Sequence, residues 1–456
     1  MDINPKIFRE YDIRGLVGRD LTDGFVEFLG RGIGTYFRKR GKKEVALGRD
    51  ARLSSPAYAE AITRGLISTG CSVVDYGLLP TPLIYFTVYH KKREASLMIT
   101  GSHNPPEYNG FKMMAGEETL FGPTIQEIYR ILKEGALIQD RGGVRSEDVI
   151  IPEYEDFLTN TIRLEKKLKV VLDAGNGIGG FVAAPIFRKL GAEVVELFCE
   201  PDGRFPNHHP DPTVPEAMEK LVETVRATKA DFGVGFDGDA DRIGVVDDRG
   251  NLLWGDQLMI AFCRDILPAH PGATVISEVK ASKLLYDEIR RLGGRGIMWK
   301  TGHSLIKQKI KDEKALLAGE MSGHIFFADR FFGFDDAIYA AARLAEILSR
   351  TEATLSEFLS DLPKTFSTPE IRIYASDEVK FRIVDEVRRK LGQKYPVNDI
   401  DGIRISYPGG WALVRASNTQ AALVLRYEAE TAEELEFIRR EVGGELERVI
   451  KGLQNS

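Results

Sequence analysis

Ala273-Thr274-Val275-Ile276-Ser277-Glu278-Val279-Lys280-Ala281-Ser282, then a helical pattern through Leu292, the pair Gly293-Gly294, and Gly296-Ile297-Met298-Trp299, is the stretch on which the fold turns. A short apolar run, a polar break, an amphipathic segment closed by glycine and a second apolar run read as strand, turn, helix, strand, the unit of a parallel sheet. The same order occurs twice upstream. Lys169-Val170-Val171-Leu172 leads to the polar turn Asp173-Ala174-Gly175-Asn176-Gly177, a helix over 183–190 and a strand over 193–198. Earlier still, Glu44-Val45-Ala46-Leu47-Gly48 leads to Arg49-Asp50-Ala51-Arg52-Leu53-Ser54-Ser55-Pro56, a helix running to Gly70 and the strand Ser72-Val73-Val74-Asp75. Three such units about one hundred residues apart predict three related mixed α/β domains, each with a largely parallel sheet. After Pro363 the runs shorten and alternate, which predicts a smaller α+β domain joined through a linker over 363–369. The expected divisions are 1–150, 151–252, 253–366 and 367–456, with clefts between the domains.

Composition narrows the functional classes. With 62 Lys and Arg against 68 Asp and Glu, a net charge of −6 and no basic block, the chain is not built for nucleic acid. No apolar run approaches the roughly 18 residues that span a bilayer, so no membrane role is expected. The first residues lack the apolar core of a signal peptide, and Cys71, Cys199 and Cys263 are odd in number and far apart, which fits a cytoplasmic protein.

Four polar motifs carry the chemistry. Ser96-Leu97-Met98-Ile99 reads as a buried strand that delivers Thr100-Gly101-Ser102-His103-Asn104-Pro105-Pro106 at its carboxyl end, where open α/β sheets place ligands. Gly101 allows a positive φ and close approach of a ligand to the backbone, and the prolines stop helix, so that Ser102 is presented as a hydroxyl nucleophile. In Gly235-Phe236-Asp237-Gly238-Asp239-Ala240-Asp241-Arg242, three carboxylates at alternate positions cannot ionise together without a cation. An all-oxygen set favours a hard ion, Mg²⁺. Two other readings are a calcium loop of the EF-hand type, against which Arg242 stands where its glycine belongs and Asp248 where its bidentate Glu belongs, and a solvated acidic turn, against which an apolar strand leads into the turn and small residues keep it compact. In Gly319-Glu320-Met321-Ser322-Gly323-His324, Glu320 and Ser322 suit a sugar diol and His324 suits proton transfer. Arg415-Ala416-Ser417-Asn418-Thr419-Gln420 gathers donors for an anion.

These motifs, in this order and over essentially the whole chain, resemble the α-D-phosphohexomutase superfamily, in particular its phosphomannomutase/phosphoglucomutase branch. The resemblance implies three α/β domains and a C-terminal domain of different fold around a deep cleft, each supplying one loop. It implies Ser102 as a phosphoserine, also touching the metal, with Asp237, Asp239 and Asp241 as Mg²⁺ ligands. Glu320 and Ser322 would hold the sugar hydroxyls O3 and O4, and Arg415, Ser417, Asn418 and Thr419 the phosphate that is not transferred. Tyr11, Arg14, Lys280 and His303 would line the cleft, as would His103, Lys112 and Arg242 beside the serine. Either His324 or Lys112 would move the proton. The implied reaction isomerises hexose 1-phosphate and hexose 6-phosphate, of mannose, glucose or both, through a hexose 1,6-bisphosphate that also activates the enzyme. A cytoplasmic monomer or weak homodimer is implied.

Three other readings remain open on the residues. Phosphoglucosamine mutases usually carry Gln where this chain has Met321. A metal-dependent serine phosphatase would usually add His ligands beside the Asp residues. A phosphosugar-binding protein without activity would have lost Ser102 or the Asp triad.

Overall fold

A computed structural model describes residues 3–417 and 421–454. The expected four-sheet plan is present, and one arrangement repeats in the first three sheets. The strand Ala95–Ile99 pairs parallel with Glu44–Arg49 on one side and antiparallel with Tyr108–Ala115 on the other. Phe232–Phe236 does the same between Lys169–Asp173 and Ile243–Asp247, and Leu317–Gly319 between Thr274–Glu278 and Ile325–Phe327. Each chemistry-bearing loop joins the antiparallel pair. The sheets are therefore mixed, where the repeats alone predicted largely parallel ones; periodicity marks a strand but not the direction of its neighbour. The fourth sheet is antiparallel throughout, and its loop joins Gly410–Ala416 to Ala422–Ala429.

Packing ties the first three sheets together. Helix Ala337–Ser349 is buried along its whole length, within one apolar cluster that takes Tyr85 and Phe86 from the first α/β unit, Phe187 and Phe236 from the second and Phe262 from the third. The fourth sheet has a core of its own, including Val414, Leu425 and Val442. It docks on the third through Trp411 and Leu413 against Val279, and through Arg404, whose Nη1 donates to Val279 O at 2.5 Å and Ala281 O at 2.7 Å. The stretch 363–369 is not a free linker: Phe366 and Ser367 pair with Ala429 and Glu428, which makes them an edge of the fourth sheet. Among the described residues, no helix is long and apolar enough to cross a membrane.

Asp336 caps the buried helix. Its side chain accepts from Tyr339 N at 2.9 Å and from the Tyr154 hydroxyl at 2.7 Å, and burial pushes its carboxyl up to about 7. A raised acid stabilises the fold while protonated. This contribution is fully present below the ordinary value of 3.8 and is lost as pH rises through about 7. At about 1.4 kcal/mol per unit, the loss is on the order of 4 kcal/mol at most. Asp336→Asn keeps the cap without the charge, so its thermal midpoint is expected to exceed the wild type's at pH 8 and to match it near pH 4. Parallel melting curves check this.

Candidate active site

The nucleophile loop is held from beneath by a residue that the motif reading passed over. Arg52, fully buried, donates through Nη1 to Pro105 O at 2.6 Å and Tyr108 O at 2.9 Å, and through Nη2 to Ser102 O at 2.8 Å and Asn104 O at 2.5 Å. Asp50 completes the cradle, accepting from Arg52 Nε at 3.1 Å and Gly101 N at 3.1 Å. This corrects the role given to Gly101. The positive φ belongs to Ser102, at 50°, whereas Gly101 is required because a Cβ there would stand 2.4 Å from Arg52 Cζ. Ser102 is also buried, only 2% exposed, not presented to solvent; its Oγ donates to Asp237 Oδ2 at 2.8 Å and lies 3.1 Å from His103 Nδ1. Burial and the charges of Arg242, Arg14 and Lys112 hold the His103 imidazole well below its usual range, so it stays neutral. Removing the clamp frees four carbonyls and lets Ser102 move. Arg52→Met is expected to lower the melting midpoint and, in the folded fraction, to cut turnover about 10²-fold, the scale of an ångström's misplacement; melts and initial rates on the same preparation check it.

Asp237, Asp239 and Asp241 are completely buried against this loop, each with an oxygen within 4.8 Å of the others. Gly238 makes the approach possible, since a Cβ there would lie 2.5 Å from Ser102 O. Lys112 neutralises part of the charge, its Nζ donating to Asp239 Oδ2 at 2.7 Å and Asp241 Oδ2 at 2.5 Å. Burial works against its ammonium, but Asp239 and Asp241 raise it well above its usual range. Burial and then repulsion from Asp239 and Asp241 push the Asp237 carboxyl up, while Lys112 outweighs burial at Asp239 and holds it low. The remaining oxygens, Asp239 Oδ1 and Asp241 Oδ1, are buried without a hydrogen-bond partner. Buried acceptors of this kind, all oxygen and close-set, fit a hard divalent ion.

The other predicted residues converge on the same space. Arg14 spans from Asp12 Oδ2 at 2.5 Å to Asn104 Oδ1 at 2.8 Å, and the Tyr11 hydroxyl donates to Thr301 O at 2.8 Å, beside the His303 ring. Glu320 Oε1 accepts from Gly302 N at 2.8 Å, and Arg242 Nε donates to His324 Nε2 at 2.9 Å. Lys280 sits 3.3 Å from Glu370 and 3.8 Å from Glu278. Arg415 is braced by Asp401 at 3.1 Å, which with Glu278 outweighs burial and keeps the guanidinium charged. Lys380 Nζ donates to Ser417 O at 2.6 Å. Asn418 and Thr419 lie outside the described residues. A cavity of about 980 Å³ is lined from all four sheets' loops, with Ser102, Arg242, Glu320, Ser322 and Arg415 among its walls. Beyond Arg52, the motif reading missed Asp335, completely buried beneath His303 and His324. The only trace of either in the sequence is a charged residue beside a strand or helix end.

Comparison with known proteins decides the family. Successive segments match the phosphoglucomutase/phosphomannomutase α/β/α domains I, II and III over residues 5–138, 152–250 and 254–366, and the C-terminal domain of that family over 370–443. The chain belongs to the phosphoglucomutase/phosphomannomutase family. It is 46% identical over 449 residues to a phosphomannomutase/phosphoglucomutase of Pseudomonas aeruginosa, covering 98% of this chain and 96% of that one. It is 46% identical over 441 residues to a phosphoglucomutase of Neisseria gonorrhoeae, covering 96% of each. The crystal structure of a phosphoglucomutase/phosphomannomutase family protein from Burkholderia thailandensis superposes with a TM-score of 0.94 at 39% identity, covering 99% of each chain. The protein is thus a phosphohexomutase, a phosphotransferase of the isomerase class in carbohydrate metabolism.

Proposed function

We propose that the enzyme interconverts the 1-phosphates and 6-phosphates of mannose and glucose by passing a phosphoryl group from Ser102 to the sugar and taking the other one back. The observation that carries this reading is the single cavity that joins Ser102, above the Asp triad, to Glu320 and Arg415. Mg²⁺ held by Asp237, Asp239, Asp241 and the Ser102 oxygen would withdraw charge from the phosphoryl oxygens. Arg415, Ser417, Asn418 and Thr419 grip the phosphate at the far end, with Lys280, while Glu320 and Ser322 hold O3 and O4, which take nearly equivalent places in either orientation of the sugar. Tyr11, Arg14 and His303 shape the cleft wall.

In the forward half, the free sugar hydroxyl forms a bond to phosphorus as the bond to Ser102 Oγ breaks, and the hydroxyl proton passes to His324 once Arg242 turns from its ring to the phosphate. His324 suits this better than Lys112, whose ammonium is locked between two carboxylates. The resulting hexose 1,6-bisphosphate reverses end for end, and Ser102 Oγ then bonds to the phosphorus of its other phosphate as that phosphorus parts from the sugar oxygen, which takes back the proton held by His324, with Asp237 and neutral His103 within reach of the serine proton. The reading extends to domains divided at 150/151, 252/253 and 366/367, to hexose 1,6-bisphosphate as activator, and to a cytoplasmic monomer or weak homodimer. A coupled assay on mannose, glucose and glucosamine 1-phosphates with Mg²⁺ and trace glucose 1,6-bisphosphate tests it. Isomerisation of the first two without stoichiometric inorganic phosphate is expected; preference for glucosamine, or net phosphate release, overturns the assignment.

A further inference from the structure

Hydrogen bonds from three of the four domains meet on Thr301 and Gly302, in the turn between the strand Arg295–Trp299 and the helix His303–Glu313. Thr301 Oγ1 donates to Glu278 Oε2 at 2.8 Å, and Gly302 N donates to Glu320 Oε1 at 2.8 Å, both on the third sheet's side. Thr301 O accepts from the Tyr11 hydroxyl of the first domain at 2.8 Å, and Thr301 N donates to Asp401 Oδ2 of the fourth at 3.0 Å. The strands put these groups together. Glu278 and Trp299 are register partners, so the carboxylate at the end of one strand faces the turn that leaves the other. Completely buried, Glu278 also accepts from Met321 N at 3.2 Å, which ties the turn to the sugar loop. Across the cleft Ile403 pairs with Val414, which sets Gly402 opposite Arg415; Gly402 takes a φ of 79°, and a Cβ there would stand 2.5 Å from Arg415 Cβ. Asp401 is thereby held between Arg415 and Thr301.

One oxygen serves both clamps. Asp401 Oδ2 accepts from Thr301 N and, at 3.2 Å, from Arg415 Nε. From Thr301 the path to the sugar is a single peptide unit, because Thr301 O and Gly302 N–H lie in one plane. With the oxygen fixed by Tyr11, the N–H has one direction left, and it points at the Glu320 carboxylate. Gly302 is required in that peptide: its φ is 133°, and a Cβ would stand 2.5 Å from Tyr11 Cζ. We infer that Asp401 and Thr301 are positioning residues of the mutase reaction: the phosphate clamp seated on Asp401 sets the Thr301–Gly302 peptide, and that peptide aims Glu320 at the sugar hydroxyls. This rests on the roles proposed for Arg415 and Glu320. Contacts that only held the fold together would, when loosened, slow every sugar phosphate alike. Contacts that aim Glu320 matter only to a substrate that carries the hydroxyls it grips.

Phosphorus NMR on the Mg²⁺-loaded enzyme separates these cases by following glucose 1-phosphate and its analogue without the O3 and O4 hydroxyls, each with trace glucose 1,6-bisphosphate. Wild type is expected to prefer glucose 1-phosphate in kcat/KM by about 10²-fold or more, since the analogue leaves buried Glu320 unanswered. Thr301→Val removes only the bond to Glu278; it should cut this preference about tenfold while the analogue's own kcat/KM stays within about threefold, and Thr301→Ser should restore it. Asp401→Asn should cut the preference and also slow the analogue, because Arg415 loses its brace. In Glu320→Gln, where the preference is already low, adding Thr301→Val should lower it no further, the non-additivity of residues that act on one group. A folded Thr301→Val with the wild-type preference overturns the inference, as does an additive loss in the double variant. If Thr301→Val fails to fold, an unchanged preference in Asp401→Asn overturns it instead. A wild type that treats both substrates alike overturns the role proposed for Glu320, and the inference with it.

Discussion

Ser102→Ala is expected to lose turnover by about 10⁴-fold or more while remaining folded and still binding sugar phosphate. The magnitude follows from the role, because no residue can substitute for a nucleophile that carries the phosphoryl group through the cycle. Binding should survive because Glu320 and Arg415 owe their placement to Gly302 and Asp401, not to the serine. The fold should survive because Arg52 grips the loop through its carbonyls, Ser102 O included, and these are unchanged in alanine. Intact mass of active wild type should show one covalent phosphate, mapped to Ser102 and absent from the variant. Calorimetric titration with glucose 1-phosphate should give a similar affinity for both. An active Ser102→Ala, or phosphate on another residue, would remove Ser102 from the centre of the mechanism.

What could be read from the chain follows the range of each interaction. The four motifs stood out because each is a run of adjacent residues whose types conflict with burial unless a ligand answers them, as with the alternate carboxylates 237, 239 and 241. The strand leading to each motif was equally local. Arg52 was not legible, since its partners Ser102 to Tyr108 lie about fifty residues away and nothing near Arg52 announces them. The same distance hid the true reason for Gly101, which is the Arg52 guanidinium and not its own φ. The antiparallel partner in each of the first three sheets was not legible, because parallel neighbours come from the βαβ repeats, while that partner arrives from the far side of a functional loop. Prolines at 363 and 369 suggested a linker, although pairing of Phe366 and Ser367 with the last strand is a contact over some sixty residues.

The Asp triad makes the second strong prediction, and its energetics can be worked out without turnover. Lys112 supplies one positive charge to three buried carboxylates, of which Asp239 and Asp241 each retain an oxygen with no hydrogen-bond partner. Removing that charge in Lys112→Met should destabilise the metal-free protein by about 3–5 kcal/mol, the cost of breaking a buried pair on one side. Saturating Mg²⁺ should restore a large part of this, because an ion at about 100 times its dissociation constant adds about 2.7 kcal/mol to stability. The Mg²⁺-dependent rise in melting midpoint is therefore expected to be larger for Lys112→Met than for wild type. In Asp239→Asn it should shrink, since the carboxamide keeps the bond to Thr81 but gives the ion a neutral ligand. Chelation with EDTA should abolish mutase turnover in wild type and Mg²⁺ should restore it. If the wild-type midpoint ignores Mg²⁺ and turnover survives complete chelation, the triad is a buried ion-pair network with Lys112, and the charge on the transferring phosphate must be met by Arg242 and Lys112 alone.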